Sequence, residues 1–421
     1  MAPTRGPCVV AIVSPFDPDR VAETGQDGDA RAIGVGSGAM REPDPALAMR
    51  SRPEDFVVVE EPLYPASGEG GHTFVFLEKC DRTTEQVARD LARAVGVDPR
   101  DVGYAGRKDR HAVTRQWLLL PGVDPERVLA VAIEGGRVLE ARAHGHKLRT
   151  GQLRANRFEI VLRGARTALD LPAVEARAAA LVRRGLPNRF GEQRFGRHGA
   201  NADRAREMLA SGRGPRDRRA ARFLVSALQS EVFNAVLDAR REAWDEVELG
   251  DLARVEQSGG LFWVDDLERD RARARDFEIS ATGPIFGRKM REPKGEIAAL
   301  EARVFDSFGL PPIASLRWPR GVRADGTRRP LRVAPGDLTI DVPDPVVFGA
   351  DAVLRIRCAL PPGAYVTVLI EALVGRVRDA ARSAHERRDR DAARPARSTD
   401  DREIAGVCSP DVPSTPEETP S

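Results

Sequence analysis

The chain has 421 residues, 41% hydrophobic and 31% charged, with 38 glycines and 31 prolines scattered along it. This composition excludes a collagen-like or wholly low-complexity protein and leaves room for two or three globular domains. Lys plus Arg (66) nearly balances Asp plus Glu (64), and the net charge of +2 alone points to no nucleic-acid partner.

The distribution says more than the total. Both ends are net acidic, so residues 46–404 are net basic, and all but five of the 66 cations are arginine. A guanidinium fork suits phosphate contacts and stacking on bases, although the same arginines also serve as ordinary solvated surface. Cys8, Cys80, Cys358 and Cys408 lie far apart with no CxxC pair, which argues against a zinc site or a disulfide framework and for a reducing compartment. No apolar run approaches the roughly 18 residues of a membrane span, so a cytoplasmic protein without membrane contact is expected.

In chain order, residues 1–45 lack apolar periodicity and are expected to be a disordered extension. Phe56-Val57-Val58-Val59 and Thr73–Leu77, separated by the Gly68–Gly71 turn, predict two strands. Thr83 with Gln86 three residues later forms a capping-box pattern, and Val87, Leu91 and Val95 then share one helical face. Strands are predicted for Ala112–Leu120 and around Phe158, Ile160 and Leu162, followed by a helix over 171–184 that Asp170 caps and Gly185 ends. The sequence SGRGPRDR around 212–219 breaks the pattern before a long helix with Leu224, Leu228, Val232 and Val236 at every fourth position. A second break, RADGTRRP at 323–330, precedes strands at 338–342 and 353–358 and a helix at 366–377. The expected organisation is therefore a domain over 46–213, an insertion over 214–327, completion of the first domain by 328–377, and a disordered tail over 378–421.

Two segments concentrate chemistry. In Tyr104-Ala105-Gly106-Arg107-Lys108-Asp109-Arg110-His111, a carboxylate between two cations at a turn would stay ionised and act as a nucleophile or base; an Asp in such a turn equally reads as a surface ion pair. In Pro187-Asn188-Arg189-Phe190-Gly191-Glu192-Gln193-Arg194-Phe195, aromatics and arginines interleave with amides, a combination for base stacking and phosphate contact if exposed and for plain core packing if buried. His144-Gly145-His146 has no further ligand at a sensible spacing and reads as a loop, and Asp265-Asp266 are adjacent acids that on a strand would point to opposite faces. No dinucleotide, P-loop, GxSxG or HExxH pattern is present, so neither a metal nor a nucleotide cofactor is expected.

Four stretches together resemble the TruD family of tRNA pseudouridine synthases. They are RPEDFVVVEE at 52–61, GYAGRKDRHAVTRQW at 103–117, PNRFGEQRFG at 187–196 with SALQSEVFN at 226–234, and RRPL at 328–331 followed by LPPGAYVT at 360–367. The resemblance implies an α+β pseudouridine synthase fold, a mixed and largely antiparallel sheet flanked by helices, interrupted by an inserted α+β TruD-specific domain. It implies an isomerase, an intramolecular transferase that converts a uridine of tRNA, typically position 13 in the D arm, to pseudouridine with no cofactor, and a protein that binds tRNA as a monomer.

Carried over by motif, Asp109 is the nucleophile. Phe56, Asn188, Phe190 and Tyr365 line the substrate pocket, with Asn188 reading the uracil edge. Lys108 partners Asp109 or a phosphate, and Glu60 and Gln116 support the site. Arg50 stands where the family pattern leads one to expect lysine, Arg189 where it has tyrosine, and Ala155 where it has the glycine of GNRF. These departures motivate an alternative, a catalytically silent RNA-binding protein or tRNA-folding chaperone on the same fold; a metal-dependent nuclease is a third reading.

Overall fold

The structure is a computed structural model that describes residues 10–11, 46–195, 200–319, 321–322 and 324–384. Its contacts separate a unit of residues 1–380 from a short one of 381–421, and everything below concerns the first. Most of the expected N-terminal extension and C-terminal tail lies outside the described residues.

In the first half the predicted strands and helices all form. Strands β1 (Val10–Ala11), β2 (Leu47–Met49), β3 (Phe56–Pro62) and β4 (His72–Cys80) lead to helix α1 (Thr84–Val95). The capping box that opens α1 forms as read: the Gln86 amide N–H donates to Thr83 Oγ1 at 3.2 Å and Thr83 N–H to Gln86 Oε1 at 2.8 Å. Then come β5 (Gly103–Tyr104), β6 (Val113–Pro121), α2 (Pro125–Leu129), β7 (Ala132–Ile133), β8 (Gly136–His144) and β9 (Leu153–Gly164). Helix α3 (Leu171–Arg184) starts where Asp170 accepts the Ala173 N–H and stops before Gly185 at φ +91°, and β10 (Leu186–Pro187) follows. The joining elements β2, β5, α2, β7, β8 and β10 are not announced by the sequence pattern.

The middle of the chain supplies α4 (Ala200–Ser211), α5 (Arg218–Ala239), β11 (Leu252–Val255), β12 (Leu261–Trp263), α6 (Leu267–Arg275), β13 (Ile279–Ile285), α7 (Gly295–Ser307) and β14 (Thr327–Pro330). The remainder forms β15 (Arg332–Val333), β16 (Gly336–Asp341), α8 (Pro345–Phe348), β17 (Ala352–Leu360), α9 (Val366–Val374) and β18 (Arg378–Asp379). Thus Gly375 ends the last predicted helix three residues early, and two residues assigned to the tail instead form a strand parallel to β2. Among the described residues, no helix is long and apolar enough to cross a membrane.

The main sheet runs β1-β16-β17-β9-β3-β6-β4-β8-β7 and is antiparallel except where β3 lies parallel to β6 and, off this path, β18 to β2. The alternation of β3 buries Phe56, Val58 and Glu60 on one face. Cross-strand register puts Ile160, Phe158 and Asn156 of β9 and Ile356, Cys358 and Leu360 of β17 on that same face. At one end of this face α1 packs on Val75, Leu77, Leu118 and Leu120; at the other, α3 and α9 pack on Phe56, Ile160, Leu162 and Ile356. Each such apolar side chain contributes about 1.5–3 kcal/mol on burial. A separate four-stranded sheet, β12-β11-β13-β14, carries α5, with α4, α6 and α7 completing its two cores.

Beneath the start of β3 lies a buried ion pair. Arg163 donates Nε and Nη2 to the Asp55 carboxylate at 2.8 and 2.6 Å, and its Nη1 to Asp351 at 2.7 Å. Asp55 also accepts the Arg52 N–H at 3.0 Å, closing the turn that delivers Phe56. Removing one partner strands the other charge in the core. Asp55→Ala is therefore expected to lose about 3–5 kcal/mol of folding stability, read by urea denaturation; a loss of a few tenths would show that the pair does not anchor this turn.

Candidate active site

The Asp109 loop is shaped by strand register. Tyr104 pairs with Leu118, yet the chain must next enter β6 at Val113. Residues 105–112 therefore run back along about five strand residues, roughly 17 Å at 3.3 Å per residue, over the face that carries Glu60 and Asn156.

Two lysines fix that loop to the sheet. Lys79 of β4 is fully buried and its Nζ donates to the Asp109 carbonyl oxygen at 2.6 Å. Lys108 turns inward, its Nζ 2.5 Å from Glu60 Oε2 and 2.8 Å from Asn156 Oδ1, while its own N–H donates to Thr84 Oγ1 at 3.0 Å. Thr84 in turn donates to Gln116 Oε1 at 2.8 Å. Burial raises the Glu60 pKa, and the Lys108 charge opposes that shift. Lys108, Glu60 and Gln116 thus form a polar layer under the loop, with the Lys108 amine on Glu60 and Asn156.

With Lys108 committed downward, its neighbour Asp109 faces out, its side chain 43% exposed. The cation opposite it is Arg50, whose Nη1 lies 3.7 Å from Asp109 Oδ2 and whose Nη2 lies 2.8 Å from Asp379 Oδ2. Arg50 sits at φ +56° and its guanidinium lies 4.8 Å over the Phe56 ring, which is itself only 1% exposed. Arg50 therefore links the Phe56 ring, on which it stacks, to the Asp109 carboxylate, with which it pairs.

The other expected residues gather in a second group. Pro187 pairs with Arg332 across β10 and β15, which leaves Asn188 at the strand end, buried, with its Nδ2 donating to the Pro330 carbonyl at 2.9 Å. Arg329 donates Nη2 to Asn188 Oδ1 and to the Gly363 carbonyl, the latter at 2.8 Å, and its guanidinium stacks 4.2 Å over Phe190. Burial pulls the Arg329 pKa down to about 10. The Phe190 ring meets Tyr365 edge-on at 6.0 Å and Phe233 at 5.5 Å, and the Asn234 amide clasps the Phe190 backbone at 2.9 and 3.0 Å. Gly191 is needed for this approach, since a Cβ there would stand 3.1 Å from the Tyr365 ring. Phe190, Arg194, Ser226, Gln229 and Arg329 line a cavity of about 320 Å³.

The two groups are joined through the backbone. Asn156, which takes the Lys108 amine, is paired with Leu360, and the loop from Leu360 leads through Gly363, the Arg329 acceptor, to Tyr365. Lys79, Thr84 and Arg329 were not singled out from sequence; Arg329 lay inside the RRPL stretch without a role. Of the other candidates, His144 stacks on Phe74 at 4.9 Å, Asp266 caps α6, and Asp265 pairs with Arg269.

A family model described as tRNA pseudouridine synthase D (TruD) matches residues 39–213 and 217–373. A tRNA pseudouridine synthase D of Anaeromyxobacter sp. (strain Fw109-5) is 42% identical over 336 residues, covering 78% of this chain and 92% of that one. One from Thermus thermophilus is 38% identical over 329 residues, covering 77% and 88%. The crystal structure of the putative tRNA pseudouridine synthase D from Methanosarcina mazei superposes with a TM-score of 0.63 at 18% identity, covering 82% of this chain and 97% of that one. The fold is accordingly the α+β pseudouridine synthase fold. The chain belongs to the TruD family of tRNA pseudouridine synthases, a family of isomerases.

Burial lowers the Lys79 pKa from 10.5 to about 8, against the pull of Asp109. As pH rises through about 8, the ammonium that holds the Asp109 backbone loses its charge. Turnover is expected to fall along that limb, and Lys79→Met to lose the limb while running about 10²-fold slower at pH 7 through misplacement of the loop. Folding stability should move the opposite way, rising between pH 8 and 10.5, where the unfolded lysine still holds its proton. A Lys79→Met profile that keeps the limb would assign it to another group.

Proposed function

We propose that the protein converts a uridine in the D arm of tRNA, position 13, to pseudouridine, with Asp109 as nucleophile. The observation that carries this reading is the exposed Asp109 carboxylate on a loop clamped from below by Lys79 and Lys108 and faced by Arg50 at 3.7 Å. Such clamping holds a reacting group in place before substrate arrives. The uridine is first flipped out of the RNA fold and held by stacking and edge hydrogen bonds. Asp109 attacks the ribose or the uracil ring, the N1–C1′ bond breaks, and the detached uracil turns. C5 then bonds to C1′, the bond to Asp109 breaks and frees its carboxylate, the C5 proton leaves to solvent, and N1 takes up a proton, so the product is an isomer. No cofactor enters this balance, and the protein works as a cytoplasmic monomer.

The second reading, a silent RNA-binding protein or tRNA-folding chaperone, is favoured by one feature: Asn188 and Phe56 already carry Arg329 and Arg50 as internal partners. The uracil-reading role of Asn188 and the stacking role of Phe56 and Phe190 require those arginines to yield to substrate.

An unmodified tRNA transcript tritiated at uridine C5 separates the readings. Tritium release without added metal or nucleotide, with the product mapped to one D-arm uridine, is expected. Asp109→Ala should lower the rate by at least ~10⁴-fold while retaining tRNA binding. Equal release by Asp109→Ala would sink the nucleophile assignment, and binding without release by the parent protein would establish the silent reading.

A further inference from the structure

The C-terminal turn of α3, the segment 245–247 and helix α6 line a second cavity, of about 820 Å³, that has no residue in common with either group above. Its size is that of a ligand site, and seven of the ten residues that line it are charged, more than in most ligand sites. Arg183, Arg184, Arg271, Arg275 and Arg332 line it against two carboxylates, Asp245 and Glu246.

Two of the five arginines are structural. Arg184 donates Nε and Nη2 to Asp245 at 3.0 and 2.8 Å and stacks 4.1 Å over Trp244. Arg332, 2% exposed, donates to Ser280 Oγ at 3.2 Å and to the Arg184 and Ala274 carbonyls. The other three are exposed, and among the described residues no carboxylate stands within ion-pair distance of Arg183, Arg271 or Arg275. Exposed arginines without such a partner also occur elsewhere among the described residues, as at Arg89, Arg93 and Arg100; what sets Arg183, Arg271 and Arg275 apart is that they share one concavity with Arg184 and Arg332.

Arginines near helix C-termini offset the half-charge of the helix end, and α3 and α6 both end here. Two half-charges and two carboxylates do not offset five guanidinium groups, so the concavity stays positive and concentrates the field on anions. Arg332 is also paired across β10 and β15 with Pro187, the residue before Asn188, so the cavity backs onto the strand pair that carries Asn188.

We propose that this cavity is a phosphate site that holds the backbone of the RNA substrate at a second point, with Arg183, Arg271 and Arg275 as the contacting groups. The proposal rests on the reading of the chain as a tRNA-binding enzyme and deepens it. Guanidinium forks bind phosphate bidentately, and such contacts fix register without reading sequence.

The test replaces Arg183, Arg271 and Arg275 together by Gln and compares tRNA binding with the parent between about 50 and 200 mM salt. A control variant replaces the exposed Arg89, Arg93 and Arg100, on or just after α1, by Gln and removes the same charge. The cavity variant is expected to bind tRNA on the order of tenfold more weakly, with a log–log salt slope shallower by about 2–3; the control should keep most of the parent slope. An unchanged slope, or an equal change in the control, overturns the proposal. So does a cavity that binds inorganic pyrophosphate in the parent and not in the variant while the tRNA slope stays the same, because the site would then serve a small anion. Since binding is read without turnover, a protein that binds tRNA but releases no tritium fails the isomerase reading and leaves this one standing.

Discussion

The clamp on residues 105–112 is the constraint around which the described site is organised. A loop that crosses the open face of a sheet has no ladder of its own and would be mobile unless side chains from below held it. Two of the chain's five lysines do this, one through the Asp109 carbonyl and one through Glu60 and Asn156. Burying two ammonium groups is costly, and the structure offsets it unequally: Lys108 has a carboxylate at contact distance, whereas Lys79 has a carbonyl and more distant negative groups, Asp109 first among them.

The second group shows the same logic with arginine. Arg329 ties Asn188, Phe190 and Gly363 into one rigid corner, so that a strand end, an aromatic and the loop before α9 move together. Arginine suits this use because one planar head reaches three acceptors and a ring face at once. The abundance of arginine, which from composition alone reads as surface, thus includes a buried minority: Arg50, Arg163, Arg240, Arg328 and Arg332 are all buried.

Much of the fold was legible because its signals are local. The capping box of α1, the Asp170 cap of α3 and the alternation in β3 and β9 depend on residues within a few positions of one another. What was not legible joins distant positions. Lys108 lies next to Asp109 in sequence, which makes it an obvious charge partner, but neighbouring side chains on the loop diverge and the partner is Arg50, which the sequence marks only as a departure from the family's lysine and which lies 59 residues earlier. Strand β8 escaped notice because GRVLEARAH is only half-buried and lacks clean alternation. The role of Arg329 depends on a contact with Asn188 141 residues away, which no periodicity announces.

Strand β18 gives the Arg50 contact a temporal meaning. Arg50 emerges early in synthesis, but its closest carboxylate, Asp379, belongs to a strand at the far end of the folded unit that pairs with the strand just before Arg50. Domains begin to fold from the N-terminus as the chain is made. The sheet can assemble around Asp109 while the polypeptide is still growing, yet the cation facing that carboxylate gains its second anchor only when nearly the whole unit has left the ribosome. A nascent fragment would hold the loop and lack its finished electrostatic setting until Arg378 and Asp379 have joined the sheet.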